Sequence, residues 1–441
     1  MIRLAGTLLA AVLLLPSLPH AAPLPEPLTL GQALALADAH HPLLERARAE
    51  LEAARAELLQ ADSSDDLEVR AELEARWVKP PTFAPQDNDD SRARLRVDKR
   101  LYDFGRTEHR VAAARLDTEG RRTLLELSRR KLRLQVMQRF FEVLLADLEF
   151  ARDNEEMAVV FVRLDKARKK NELGQLSDID LLALETRYQE IRSKRYRSEA
   201  RQRLARQRLA LLLGRPEDLP DTLAPPVLDN DRPLPEYEEL VRRALADNPE
   251  LQALRAQLEG AAKRLEAARA SARPVITGRM EATHYQRSFG YRDPFRASLA
   301  IDIPLYVGDR RRAEEADAWA RLHSLQARLK EAELTLREQL LDSWQRVQTL
   351  KAQRDQADTN RDYRELYLDR SRTRYEQELT TDLGDAMVRQ SEARLLSSRT
   401  EFELALAWAT LDLLTGREPG AGLLPGDDHR ANPPDSAGDT P

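Results

Sequence analysis

The sequence predicts a mainly α fold of long antiparallel coiled-coil helices with a small β component, written as two tandem structural repeats. Three observations predict it. The 441-residue chain is a third charged, with only 16 glycines and 5% aromatic residues, a composition of long helices and not of a compact α/β enzyme. Three landmarks recur in the same order, about 200 residues apart,. Four short segments alternate between apolar and charged or polar residues, three of them clearly, a period of two that no helix produces.

The first element is residues 1–22, "MIRLAGTLLAAVLLLPSLPHAA". Arg3, an apolar run over residues 4–15, Pro16 and the small pair Ala21 and Ala22 follow one another in the layout of a secretory signal peptide,. The run is too short for a membrane span; the alternative is a buried N-terminal helix. His20 leaves the cleavage point open. The chain has no cysteine, so an exported protein here relies on packing or oligomerisation and carries no lipid on Cys.

The repeats follow. "LTLGQALALADAHHPLLERARAELEAARAEL" from Leu28 matches "LPEYEELVRRALADNPELQALRAQLEGAAKRL" from Leu234, with His41-Pro42 on Asn248-Pro249. "RLYDFGR" from Arg100 matches "PLYVGDR" from Pro304, and "LALLLGR" from Leu209 matches "LDLLTGR" from Leu411. Residues 23–214 form the first repeat (helix, two strands, two long helices). Residues 215–235 form a Pro/Asp-rich linker, residues 236–417 the second repeat, and residues 418–441 a Pro/Gly/Asp-rich tail expected to be disordered.

Each repeat should open with a helix of ~30 residues that has Pro42 or Pro249 near its start. Two strands and a long helix come next, over about residues 104–172 and 309–377, each on the order of 100 Å at 1.5 Å per residue. Such helices must pair along their sides. Leu132, Val136, Phe140, Val143 and Leu144 form a narrow apolar stripe suited to this. A second long helix ends at Gly214 or Gly416, where glycine suits a C-terminus.

The strand segments are residues 67–77, 92–102, 275–286 and 295–305. In the first, Leu67, Val69, Ala71, Leu73, Ala75 and Trp77 oppose Glu68, Arg70, Glu72, Glu74 and Arg76. In the second, Ala93, Leu95, Val97 and Leu101 oppose Arg92, Arg94, Arg96, Asp98 and Arg100. The acidic row beside the basic one suits a hairpin. Phe295, Ala297, Leu299, Ile301, Ile303 and Leu305 line the fourth; Gly278 and His284 blur the third. Strands of 10–12 residues are the length that crosses a bilayer when tilted, and Trp77, Phe83, Tyr285, Phe289 and Tyr291 stand where an aromatic girdle belongs. A soluble sheet with one wet face is the alternative, but the helices use their stripes on each other and leave nothing to cover the oily side. Four strands cannot close a barrel, and an open edge does not survive in lipid. Closure therefore requires several chains.

Taken together, "RLYDFGR", "LGQLSDIDLLALE" from Leu173, "YEQELTTDLGDAM" from Tyr375 and the doubled plan resemble the TolC family of outer-membrane efflux proteins over nearly the whole mature chain. The resemblance implies a homotrimer with a 12-stranded transmembrane β-barrel in outer-membrane lipid, continuous with an α-barrel across the periplasm. It implies export of small molecules or proteins with an inner-membrane transporter and a periplasmic adaptor protein. It also implies that the two helical breaks are periplasmic tips. The first keeps the family's Gly174, Ser177, Asp180 and Leu182; the second departs from it, with Glu378 where glycine is usual.

Acids ringed by symmetry at a narrow tunnel end repel one another and attract cations. Asp382 and Asp385 are the candidate gate, with Asp178 and Asp180 secondary; the alternative is that these acids start helices, favoured by the dipole. Leu173, Gly174, Leu176, Ser177, Glu378, Leu379 and Thr380 are the candidate adaptor contacts.

No enzymatic constellation, cofactor site or metal site is expected. His40, His41 and Glu45 have one metal-like spacing, better read as a helix start. Nothing cradles a phosphate, and there is no thiol. A net charge of −5 argues against nucleic acid,, and Arg310, Arg311 and Arg312 read as a membrane-proximal or solvated cluster. The rival to a channel is a periplasmic coiled-coil structural or adaptor-like protein, which should show one helical hairpin flanked by small β domains and not two.

Overall fold

The computed structural model describes residues 24–423, apart from 80–81, 83–86, 217, 219–220, 288–291 and 378–381; for His40 it describes the backbone alone. The expected signal peptide, most of the tail, and Phe83, Phe289, Tyr291, Glu378, Leu379 and Thr380 lie outside the described residues.

The plan occurs twice. The first repeat runs α1 (Leu30–His40), α2 (Pro42–Asp62), β1 (Glu68–Glu74), β2 (Arg92–Tyr102), α3 (Arg106–Glu172) and α4 (Asp178–Leu212). The second runs α5 (Tyr237–Asp247), α6 (Pro249–Ala270), β3 (Val275–Tyr285), β4 (Phe295–Asp302), α7 (Arg310–Glu376) and α8 (Leu383–Leu414). Helices α3 and α7 have 67 residues each, so each is about 100 Å long.

The opening helix differs from expectation, being two helices in both copies. Pro42 and Pro249 begin the second of each pair, and the residues before them, His41 and Asn248, are extended. Proline disfavours the helical region at the preceding residue but is itself pre-organised for the first helical turn. Asn248 Oδ1 then accepts from the backbone N–H of Glu250 and Leu251. His41 Nδ1 accepts from Leu43 N–H, and burial holds its pKa below the usual histidine value.

Three helix ends carry the same cap. At Gly174, Gly214 and Gly416 the glycine has positive φ and donates to the carbonyl three residues back, while the next residue donates to the one five back. That is the Schellman arrangement, and its left-handed residue is where glycine costs least.

The strands form one antiparallel sheet, ordered β1-β2-β3-β4. Two hairpins, one per repeat, thus join through β2 and β3. β1 and β4 are shorter than predicted, with 7 and 8 residues; Trp77 instead meets Asp89 in an isolated bridge beyond β1.

Helix packing follows the chain. α3 lies between α2 and α6, α6 packs on α7, and the hairpins α3/α4 and α7/α8 meet through α3 and α8. The core is concentrated midway along the long helices, where α1 and α5 wrap them. There Leu132, Val136, Phe140, Phe141, Leu209, Leu340, Leu404 and Trp408 are buried. Phe141 stacks on Phe402 with ring centroids 4.7 Å apart. The segment 229–232 is pinned to this level by Arg232, which forks onto the buried Asp412 at 3.2 Å and lies over the Trp408 ring. Burial raises the Asp412 pKa, and the guanidinium opposes that shift.

Candidate channel wall and periplasmic tips

The sheet has two unlike faces, and the register fixes them. Val69 pairs with Val97, Ala71 with Leu95 and Leu73 with Ala93; on the other side Val97 faces Met280 and Met280 faces Ala297. Opposed residues share a face, so one face is an apolar field with only two polar residues on it. Leu73 is 84% exposed and Leu299 67% exposed. In water a field of this size would be an aggregation site; in lipid it is solvated. The two polar residues on it, Lys99 opposite Gly278 and His284 opposite Ala93, stand towards opposite ends of the strands, the places where an apolar band meets headgroups. Gly278, which blurred the sequence pattern, lies under the Leu101 side chain: a Cβ there would meet Leu101 Cδ1 at 3.4 Å.

The other face is a lattice of charge. Arg94 reaches Glu72 at 3.2 Å and Glu281 at 3.1 Å, Arg96 approaches Glu281 at 3.7 Å, and Arg279 pairs with Asp98. Arg92 pairs with Glu74. Glu72 and Glu74 of β1 are thus neutralised by the basic row of β2, Glu68 by Arg70 of its own strand, and β3 extends the network. Such a face requires water and excludes hydrocarbon.

At the loop end, Arg292 donates to the largely buried Asp90 at 2.7 Å and covers the Tyr285 ring. That hydrogen bond, with the charges of Arg292, Arg76 and Arg287, holds the Asp90 carboxyl below its usual range.

At the opposite end, "LYDFGR" turns the strand into α3. Phe104 and Gly105 both take positive φ, and the buried Asp103 accepts from Thr107 N–H at 2.8 Å and Thr107 Oγ1 at 2.6 Å. A carboxylate at the start of a helix this long satisfies orphan donors and the dipole together. Arg273, in the turn before β3, donates to the Phe104 carbonyl at 2.6 Å. The matching corner of the second repeat is bare, with Leu305 and Tyr306 about nine-tenths exposed.

The first tip is a tight turn. Ser177 caps α4, accepting from Asp180 N–H at 3.2 Å and donating to Asp180 Oδ2 at 2.7 Å. Asn171 donates to the Leu176 carbonyl and to Asp178 Oδ1. Asp178 and Asp180 are therefore both engaged in shaping the helix start. Leu173 is exposed and Leu176 partly so. Ile179, 82% exposed, and Leu182 extend the same apolar patch. Both are additions to the predicted contacts; their signal was two aliphatic residues at i, i+3 at the exposed start of α4.

At the second tip, Asp382 stands at the N-cap of α8 and accepts from Tyr367 Oη of α7 at 2.8 Å. Asp385 pairs with Arg163 of α3 at 2.6 Å. Gly384 lies so close to α3 that a Cβ there would fall 2.8 Å from Val159 Cγ1. Ser391 hydrogen-bonds Glu155 of α3. Glu155, Val159 and Arg163 are spaced by four, one face of α3, so the two hairpins are clasped along a single line. Arg163 and Tyr367 carried no local sequence signal, since their partners are remote or on another helix.

No helix among the described residues is long and apolar enough to cross a membrane, which says nothing of the strands. No group of three or more His, Cys, Asp or Glu among them could hold a metal.

Residues 240–417 match the family described as outer membrane efflux protein, a family of non-enzymatic transport ducts. No curated relative matches the chain. Among solved structures it is similar to a membrane protein from Pseudomonas aeruginosa (18% identity, TM-score 0.72, covering 88% of this chain and 90% of that one). It is similar to the outer membrane protein VceC from Vibrio cholerae (19%, 0.70, 88% and 96%). The CmeC outer membrane channel of Campylobacter jejuni also matches (13%, 0.73, 90% and 87%). The second repeat thus matches the outer membrane efflux protein family, and the chain as a whole has the fold of these solved outer-membrane proteins.

Proposed function

We propose that this chain is the exit duct of a tripartite efflux or secretion system, working as a homotrimer with a periplasmic adaptor protein and an inner-membrane transporter. The observation that carries the reading is the open-edged sheet, apolar on one face and ion-paired on the other, continuous with helices of about 100 Å. Among the described residues β1 and β4 each leave one backbone edge unpaired, and lipid tolerates that only if a neighbouring copy supplies the missing strand. Three copies bring twelve strands and a tube of helices beneath them.

The duct is passive, and its energy comes from the partner. Its closed end is held by weak ties. Arg163 and Asp385 are both about half exposed, so their pair contributes at most about 1 kcal/mol, and the Tyr367–Asp382 hydrogen bond, made to a charged acceptor, adds about 2 kcal/mol,. A clasp of that strength is released by modest differential binding of an adaptor to the splayed form. Asp382 and Asp385 then cease to constrict the end, and cargo passes to the barrel lumen.

The apolar tip patch is the proposed docking surface. Leu173, Ile179 and Leu182 changed together to Glu should leave the oligomer and its conductance intact. In cells carrying the adaptor and transporter, extrusion should fall about tenfold or more, as expected for loss of central apolar anchors. Undiminished extrusion and unchanged adaptor cross-linking would remove the tips from the docking surface.

A further inference from the structure

We propose that the head of the helical wall carries an oxyanion site facing the lumen, built on Arg106 and Arg110 of α3 with Arg310 and Arg311 of α7. It takes phosphate or carboxylate groups on cargo in transit. The proposal rests on the conduit reading above and adds a cargo class to it.

The helices lie side by side in the order α2, α3, α6, α7, and three hollows run up one side of this wall. The lowest is lined by Glu50, Asp117, Arg264 and Arg321, one from each helix. The second is lined by Glu57, Arg110, Arg264 and Glu314, again one from each. A hollow that the two outermost helices share with the two inner ones lies on the concave side, which becomes the lumen when the wall closes into a tube. The third hollow, of about 420 Å³, shares Ser271 and Glu314 with the second. It adds Arg106, Arg310, Arg311 and Arg312 where strand turns into helix.

The charge balance changes along this line. In the lowest hollow Arg121 pairs with Glu50 at 3.0 Å, Arg321 with Asp317 at 3.0 Å, and Arg264 with Asp117. Higher up the balance is lost. Helices α3 and α7 have the same length and begin at Arg106 and Arg310, so Arg106 and Arg110 correspond to Arg310 and Glu314. In α7 these residues are opposite charges and pair at 3.1 Å. In α3 they are two cations at i, i+4. Like charges at that spacing destabilise a helix, and cations are the wrong sign for its first turns.

Neither Arg106 nor Arg110 has an ion pair among the described residues. The nearby acids are taken, Glu314 by Arg310 and Asp103 by Thr107 and Arg100. The Arg106 Nε is buried without a hydrogen-bond partner. Desolvation by the surrounding wall, then the charges of Arg106 and Arg100, hold the Arg110 pKa below the usual arginine value, against the pull of Asp103 and Glu314. The fold gains nothing from this pair, and an oxyanion between the two guanidinium groups satisfies both. The tips lie about 100 Å away along α3, far beyond the screening length. The acids there act on small ions, while the arginines act on groups that touch the wall.

Tripolyphosphate is the probe. Added from the barrel side to channels of full-length protein in a planar bilayer, it should interrupt the current reversibly, at concentrations that rise with salt. Arg110→Glu gives α3 the pair that α7 already has. It should raise the half-blocking concentration about tenfold or more and leave the melting temperature of the oligomer unchanged or higher. Equal block in the variant, or no block of the unmodified channel, would overturn the site while the conduit reading stands. Protein that opens no channel would overturn both. A variant that loses the block and also melts earlier would assign Arg110 a structural role and overturn the site. Should Arg110→Glu not assemble, calorimetric titration of tripolyphosphate into the full-length protein in detergent decides. Salt-sensitive binding that Arg106→Gln weakens supports the site; absent binding, or binding that Arg106→Gln leaves undiminished, overturns it.

Discussion

Replacing Gly416 with Ala should destabilise the protein by about 3 kcal/mol or more, while the equivalent Gly214→Ala should cost only about 1–2 kcal/mol. Both glycines end the second long helix of their repeat, with φ of +77° and +69°, so both substitutions incur the strain of a left-handed Cβ. They differ in their surroundings. A Cβ at Gly416 would fall 2.2 Å from the Asp247 carbonyl oxygen, whereas nothing lies within 4 Å of one at Gly214. Asp247 ends α5, and the break after it docks on the end of α8, where Asn248 Nδ2 donates to the Leu414 carbonyl at 3.0 Å. Arg130 adds a hydrogen bond to the Gly416 carbonyl. Relief of the clash must therefore move backbone that several contacts hold. Denaturant midpoints of the two detergent-solubilised variants measure the difference. Equal losses would mean that the close approach is not present in the assembled protein.

The second large effect is functional. Asp382→Asn and Asp385→Asn together should reduce cation preference several-fold and change single-channel conductance, since symmetry would place two carboxylates per copy around the narrow end. Asparagine keeps the size and the hydrogen-bond acceptor that Tyr367 uses, so the change removes charge with little change of shape. The variant also replaces the Arg163–Asp385 ion pair by a neutral contact, which should raise the fraction of time spent open. Because that pair is exposed, its own contribution is about 1 kcal/mol or less, so the selectivity change should exceed the gating change. Unaltered conductance and selectivity would remove both acids from the gate and leave them as helix-start residues, the role that Asp178 and Asp180 take at the first tip.

Much of this architecture was legible in the sequence because the fold is quasi-linear. A helix of 67 residues needs no knowledge of distant partners to be recognised, and a period-two pattern declares a strand even in helix-forming letters such as those around Glu72. The repeat supplied the topology. Local signals also located the helix-ending glycines Gly214 and Gly416, whereas Gly174 and Ser177 were marked by the family resemblance. What escaped was set by neighbours. The split at Pro42 reflects the extended backbone that proline imposes on His41 more strongly than the helical pattern around it. Gly278 read as a blemish until the register placed Leu101 over it. The partners of Asp382 and Asp385 depend on how α7 and α3 present Tyr367 and Arg163, which no local pattern encodes. Glu378 departs from the pattern that the rest of the sequence resembles, and there resemblance could not stand in for geometry.

The central claim is a conduit built from several copies, and one experiment addresses it directly: the mass of full-length protein extracted in detergent, followed by conductance of that same species in a planar bilayer. The expected result is a trimer that opens discrete, cation-favouring channels, its strands closing a barrel whose apolar face lies in lipid. A stable monomer or dimer that leaves the bilayer silent would contradict it, and the alternating strands would then belong to a sheet that water wets on one side and some other partner covers on the other.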